Sequence, residues 1–467
     1  MLMRKLFYFF PAILFAVLLT SCAVREYFWT PIEPGTAFIH KSQTTEPAIA
    51  DSSVTEVPKD ESTSGSVFDI FKTATPTPTS TPTPTPSPTP TPVPTEPIPE
   101  GMGKSILTGE YISTDLANRR PVGFMIDNVT GAYPQSGVSQ ADLYIEAVVE
   151  GSLTRFCALF DYYDDLPRIG PLRSCRDYFL SIAAGFDEIY EHYGQAAYAF
   201  PYLESDDVDN ISGLAWYAGK FFYRDNTFHR APHNAYISGA KINEAIDFLG
   251  YRKTHNEDFK PQLNYVWVGD TSPDLEGGRP AKYFAPGFLI NKPWFVYQEE
   301  TGTYLRYQYG DRHYDVENNK QLEVKNIIVE FQNYDYYQTS QYLHYDTTAG
   351  GKGLYISDGK CIDITWERPS FYEPVTYRTL SGEELNINTG KTWICLVQNQ
   401  YIRNCVIGED SQSAVMAVTE EEAAEAEVYN AEWKAAYKWG EDVYLTIMNQ
   451  EKERNLAAHG GRSKVEG

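Results

Sequence analysis

Side chains able to carry chemistry concentrate between positions 127 and 234. Asp127-Asn128 closes one apolar run, Glu146 and Glu150 flank Ala147-Val148-Val149, and Arg155 opens the next run. Arg173, Arg176 and Asp177 stand at the start of a predicted helix, where first-turn N–H groups and the helix dipole favour an anion. His192 ends a further apolar run before Gly194, and His233-Asn234 follows Arg230-Ala231-Pro232. Two arginines can grip a carboxylate or phosphate through paired donors. His192 or His233 could then move a proton, with Glu146 or Glu150 orienting the ring. Taken one residue at a time, the plainer reading is structural: Glu150 pairs with Arg155, and the arginines pair with Asp142, Asp177 or Asp187.

Several chemistries are excluded. His229 and His233 are four apart, but Pro232 breaks the helix that would put them on one face, and there is no His-Glu-x-x-His, so no metal site is expected. No Gly-x-Ser-x-Gly elbow and no cysteine in a nucleophile setting is present. Gly103-Lys104-Ser105 lacks the earlier glycine of a phosphate loop, since Ile98 stands there. No cofactor is expected. With 39 Lys+Arg against 63 Asp+Glu, the net charge of −24 argues against nucleic acid and against an anionic bilayer met through a basic face.

The elements that must position these residues read as α+β. A mixed α/β N-terminal domain (105–260) holds strands over Arg120–Asp127, Asp142–Val149, Thr154–Phe160 and Glu188–His192. Ser174 is read as N-cap of a helix over Cys175–Ala184, with Asp177 completing a variant capping box, and Ser238–Leu249 as a helix stopped by Gly250. From Trp294 the pattern turns to short strands, up to Tyr401–Ile407, which predicts an all-β C-terminal domain (261–407), a small barrel or sandwich. Its dense tyrosines could stack on sugar rings, although half-buried strand positions are their commoner use. Trp366 and Trp393 are read as core. Thr419-Glu420-Glu421-Glu422 is a capping box that opens an acidic helical tail (408–467), expected to pack on the body, with a second helix after Gly440.

The N-terminal end gives an address. Arg4 and Lys5 precede an apolar stretch from Leu6 to Leu19, too short for a membrane span, and Leu19-Thr20-Ser21-Cys22 has the lipobox pattern. Residues 1–21 are therefore read as a lipoprotein signal peptide and Cys22 as the lipidation site, with diacylglyceryl holding the chain to the outer face of the cell membrane. Residues 22–104 form the predicted tether, disordered and dominated by the Thr-Pro alternation of Thr75–Pro99, whose prolines exclude helix and sheet. A disulfide between Cys395 and Cys405 is conceivable outside the cytoplasm, but buried free thiols are the preferred reading for the five remaining cysteines.

Arg120-Pro121, Pro134-Gln135-Ser136-Gly137, Ala141-Asp142, Glu150-Gly151 and Thr154-Arg155-Phe156 resemble the YerB-like bacterial lipoproteins, a family defined by domain of unknown function 3048. The likeness continues through Ile169–Ser174, Arg176-Asp177-Tyr178-Phe179, His192 and Pro232-His233-Asn234, and covers residues 106–407. It implies a lipid-anchored extracytoplasmic protein, usually of Gram-positive bacteria, with no established activity. Relatives often carry a second glycine where Gln195 stands. Two functions stay open. One is a non-catalytic envelope protein that binds a cell-wall polymer or another envelope protein, favoured by the long tether and the missing catalytic motif. The other is a hydrolase or transferase on an anionic envelope substrate, using Arg173 and Arg176 with His192 or His233.

Overall fold

The computed structural model describes residues 98–337 and 341–436; the signal peptide, Cys22, nearly all of the tether and the helix expected after Gly440 lie outside them. Met102–Lys104, which composition places at the end of the tether, already pair with Tyr111–Ser113. The N-terminal half supplies five strands of the main sheet, β1 (Val122–Asp127), β2 (Leu143–Val148), β3 (Thr154–Phe160), β4 (Ile189–His192) and β5 (Asn210–Ser212), besides a small pair at Tyr223–Arg224 and Ala235–Tyr236. Every residue of β1 to β5 is buried, as expected of strands covered on both faces. The C-terminal half adds β6 (Trp294–Gln298), β7 (Thr303–Gln308), β8 (Asn326–Gln332), β9 (Gly351–Ser357), β10 (Lys360–Glu367) and β11 (Thr392–Gln398).

All of β1 to β11 except β6 and β7 build one central sheet of eleven, in the order β10-β9-β8-β11-β2-β3-β1-β4-β5, with Arg279–Pro280 and Thr376–Thr379 both on β10. The strand β11 lies between the two halves, parallel to β8 on one side and to β2 on the other. Mixed helices and sheets make the chain α+β. The change of pattern after residue 260 is a change in local structure and not a break in the sheet. Four strands of the expected barrel or sandwich instead extend the N-terminal sheet. The remainder, β6 and β7 with Tyr283–Ala285, Val406–Gly408 and short flanking strands, form a second sheet of seven. It covers the central sheet where Phe295 and Trp393 meet at 5.8 Å between ring centres.

The longest helices among the described residues are α1 (Asp177–Ala183), α2 (Gly239–Leu249) and α3 (Glu420–Ala436), with short ones at Thr114–Ala117 and Phe200–Glu204. Gly250, with φ of 72°, ends α2 in the left-handed conformation that glycine adopts without strain. α1 begins later than its sequence pattern predicts, and Ser174 does not cap it. Cys175 instead exchanges backbone hydrogen bonds with Gly194 and Ala196, which holds Arg176 extended. The capping box of α3 is present: Thr419 N–H donates to Glu422 and Glu422 N–H donates to Thr419 Oγ1. α3 packs on the body, its Asn430 Oδ1 accepting from Tyr334 N–H. Tyr401–Ile407 is mostly a turn (Asn399–Asn404) rather than a strand. Trp366 and Trp393 are core, as are Tyr334, Tyr337 and Tyr345 of the tyrosine-rich segment, while Tyr336 stays exposed. Cys157, Cys175, Cys361, Cys395 and Cys405 are buried free thiols, so the Cys395–Cys405 disulfide does not form. Among the described residues, no helix is long and apolar enough to cross a membrane.

Candidate functional site

The strand pleat sorts the predicted residues onto two faces. Successive side chains of a strand point to opposite sides, and cross-strand partners share a side. Asp127 pairs with Arg155, and Arg155 with Ala147; Glu146 pairs with Phe156 and Cys395. Asp127 and Arg155 therefore share one face, and Glu146 belongs to the other. Sequence reading placed them in one pocket. The period of two separates them.

On the first face a basic cluster gathers at the C-terminal ends of β1 and β2, which run in the same direction on either side of β3; this is the end where open α/β sheets place ligands. Asp127 is buried, and its Oδ2 lies 2.6 Å from Nδ1 of His233 and 3.1 Å from Nε of Arg173. Both partners are the accessible groups here, 28% and 26% exposed. Arg176 makes a two-point pair with Glu150, its Nε 2.8 Å from Oε1. Its Nη1 also donates to Cys175 O at 2.9 Å, and its guanidinium lies over the Tyr342 ring at 5.3 Å. Burial works against the charge of Arg176, but Glu150 holds it protonated. Arg155 donates from Nη1 to Ser174 O. Burial first, then the like charge of Arg176 and Arg173, pushes Arg155 down to about 10 against the pull of Asp127 and Glu150. Asp127 Oδ1 and Arg173 Nε are buried without a hydrogen-bond partner. Three guanidiniums thus face two carboxylates. The expected pairing of Glu150 with Arg155 is replaced by Glu150 with Arg176. The expected fork of Arg173 and Arg176 at a helix mouth is also absent, because each arginine leans on a different acid.

On the second face Glu146 and Arg306 form an ion pair at 2.8 Å with neither side chain exposed. Trp393 Nε1 and Asn291 Nδ2 also donate to Glu146, at 3.1 and 2.9 Å. Asn128 joins them, donating to Thr154 Oγ1 at 2.8 Å and accepting from Gln135 and Gln308, each at 2.9 Å. His313 closes the network, accepting from Arg306 and donating Nε2–H to Gln135 at 2.9 Å. Burial and Arg306 push its pKa well down, so the ring is neutral. The network is sealed from solvent, and within it only Arg306 Nε and Asn291 Oδ1 are left without a hydrogen-bond partner. It corrects the placement of Asn128 and Glu146 in a ligand pocket. Sequence reading missed Arg306, Gln308 and His313. The available signal was parity: Arg306 and Gln308 alternate with Leu305 and Tyr307 on the same side as buried Tyr304.

The remaining candidates are structural. His192 is fully buried, held by Gly194 O at 2.7 Å and Asn210 Oδ1 at 3.3 Å, and burial lowers its pKa. Asp177 accepts from Tyr337 OH at 2.6 Å. Asn234 turns away from His233 to Arg224 and Asn226, at 2.7 and 2.8 Å. Among the described residues, no group of three or more His, Cys, Asp and Glu is placed to hold a metal ion.

Family models for the protein of unknown function DUF3048 match residues 107–252 with its N-terminal domain and 284–394 with its C-terminal domain. The chain belongs to the DUF3048 family. It is 32% identical over 296 residues to the Bacillus subtilis (strain 168) protein named "Putative lipoprotein YerB", a match covering 63% of this chain and 86% of that one. Its fold is similar to the crystal structure of YerB protein from Bacillus subtilis, with a TM-score of 0.56 and 30% identity, over 67% of this chain and 98% of the other. Within the DUF3048 N-terminal match lie Asp127, Arg155, Arg173, Arg176 and His233, together with Glu150. Arg306 and His313 fall in the C-terminal match, so the sealed network joins the two family domains.

Proposed function

We propose that this DUF3048 protein is an extracytoplasmic lipoprotein, anchored through diacylglyceryl on Cys22, whose basic cluster binds an anionic cell-wall polymer. The observation that carries this reading is the excess of guanidinium over carboxylate in the cluster, inside a chain of net charge −24. Arg155 is held in a setting that disfavours its charge. An incoming phosphate or carboxylate would relieve that setting, and paired guanidinium donors suit both anions. Arg173, the most accessible of the three arginines, would make first contact. Lipid at Cys22 and the Thr-Pro tether would carry the body outward from the bilayer.

One observation favours a catalytic reading in second place. Buried Asp127 orients His233 through Nδ1, the arrangement that prepares an imidazole for proton transfer at its other nitrogen. The anionic substrate of that reading would occupy the same arginines, but only His233 of the two candidate histidines remains available.

Full-length protein in detergent, titrated calorimetrically with a soluble glycerol-phosphate polymer, tests the binder. Arg173→Ala and Arg155→Ala should each weaken binding about 10- to 100-fold, from charged hydrogen bonds worth roughly 1.5–3 kcal/mol. Wild-type affinity in both variants removes the arginine cluster as the site. Turnover of the polymer that is lost in His233→Ala would favour the catalytic reading. Labelled fatty acid should enter the wild-type protein and not Cys22→Ala.

A further inference from the structure

A cavity of about 650 Å³ lies between the outer end of the central sheet and α3. Its volume falls in the range of ligand sites, and Phe331, Ile364, Ile402, Val418 and Ala426 give it apolar walls. Leu380 and Tyr429 also line it and are 70% and 49% exposed, an apolar lip open to solvent. Two further lining residues, Trp366 and Asn399, are only 3% and 4% exposed. Each keeps a buried polar atom with no hydrogen-bond partner, the indole Nε1 and the Asn399 Oδ1. Buried polar groups in native proteins are nearly always paired, so these two ask for a partner. One is a donor and the other an acceptor. A secondary amide, with its C=O and N–H, matches both.

Charge narrows the class. Asp363, Glu367, Glu422 and Glu425 line the cavity against Lys352 and Arg378, and the first turn of α3 adds Glu420 and Glu421. Lys352 reaches Glu422 and Glu425, Arg378 pairs with Glu367, Arg279 with Asp363 and Arg403 with Glu420, so these six acids meet four cations and the rim keeps a small negative excess. The sign is opposite to that of the basic cluster, and the two sites share no residue.

We propose that this cavity binds a short extended peptide with apolar side chains flanked by lysine or arginine, a backbone amide pairing with Trp366 Nε1 and Asn399 Oδ1. The apolar walls take the side chains, and the acidic rim takes the flanking cations.

The test titrates full-length protein in detergent against fluorescein-labelled Lys-Ala-Val-Ala-Val-Lys and follows anisotropy. Saturable binding is expected. A probe with the same side chains but N-methylated central amides should bind at least about tenfold more weakly, a loss of roughly 1.4 kcal/mol. Ala426→Trp, which fills the cavity, should lose binding by a similar factor, and Arg173→Ala should leave it unchanged. Four results would overturn the proposal. They are no saturation by about 1 mM probe, equal binding of the N-methylated probe, full binding by a folded Ala426→Trp, or occupation by a second copy, seen as a dimer the probe does not dissociate. The N-methylated probe keeps the test decisive even where a variant fails to fold.

Discussion

Removing the Glu146 carboxylate tests the sealed network directly. Glu146 comes from β2 in the centre of the main sheet and Arg306 from β7 in the second sheet, so their contact fastens one sheet to the other. Both side chains are fully buried, and Glu146 accepts from Arg306, Trp393, Asn291 and Asn128. In Glu146→Ala the guanidinium would stay buried beside a neutral His313, with only Gln308 and His313 as acceptors. Leaving one member of a buried pair uncompensated costs about 3–5 kcal/mol, a large share of the ~5–15 kcal/mol that holds a typical domain. Replacing both charges with apolar groups removes the desolvation problem, so Glu146→Leu with Arg306→Met should lose less than the two single changes summed, by at least ~2 kcal/mol. Urea unfolding followed by tryptophan fluorescence reads this well, because Trp393 sits on the carboxylate. Additive single and double losses, with a coupling near zero, would mean that the two groups act independently and that the network does not fasten the sheets.

Burial pushes Glu188 up to about 8 from an ordinary value of 4.5. In the unfolded chain this acid ionises near 4.5, while the folded chain holds the proton. Its contribution to stability is therefore complete below that pH and is lost as pH rises towards 8. Glu188→Gln should flatten this fall, raising stability at pH 8 by ~1–3 kcal/mol, below the ~5 kcal/mol ceiling set by the full shift. Equal pH dependence of the thermal midpoint in both proteins would contradict it. Excising residues 261–436 should give an aggregating or unfolded product, since β2 would lose β11 along one whole edge, and a monomeric, cooperatively unfolding fragment would show that the edge is dispensable.

Much of the scaffold was legible in the sequence. The apolar runs at Val122–Asp127, Thr154–Phe160 and Thr392–Gln398 are long, rich in β-branched and aromatic residues, and bounded by turn residues, so local pattern identifies them as strands. Partnership was not legible. Nothing within Thr392–Gln398 states that its neighbours are residues 326–332 and 143–148, because strand pairing is decided by which exposed edges and apolar faces remain uncovered after the rest has packed. Ser174 shows the same limit on a smaller scale. Its spacing to Asp177 matches a cap, but the long-range bonds of Cys175 to Gly194 and Ala196 fix the backbone first, and local propensity yields.

The candidate site was legible by residue type and illegible by side. Charged residues in apolar strands are costly to bury, so Asp127, Glu146 and Arg155 stand out in the sequence, where they are read as members of one pocket. Which partners each takes depends on parity. Asp127 and Asn128 are adjacent in sequence, yet one anchors Arg173 and His233 in the basic cluster while the other ties Gln135 and Gln308 into the core. A one-residue slip of β1 would exchange them, exposing the amide and sealing the acid against Glu146. The buried ion pair across the sheets therefore does more than hold two layers together. By fixing Glu146 inward it fixes the register of its neighbours, and that register is what leaves Arg155 and Asp127 in the basic cluster.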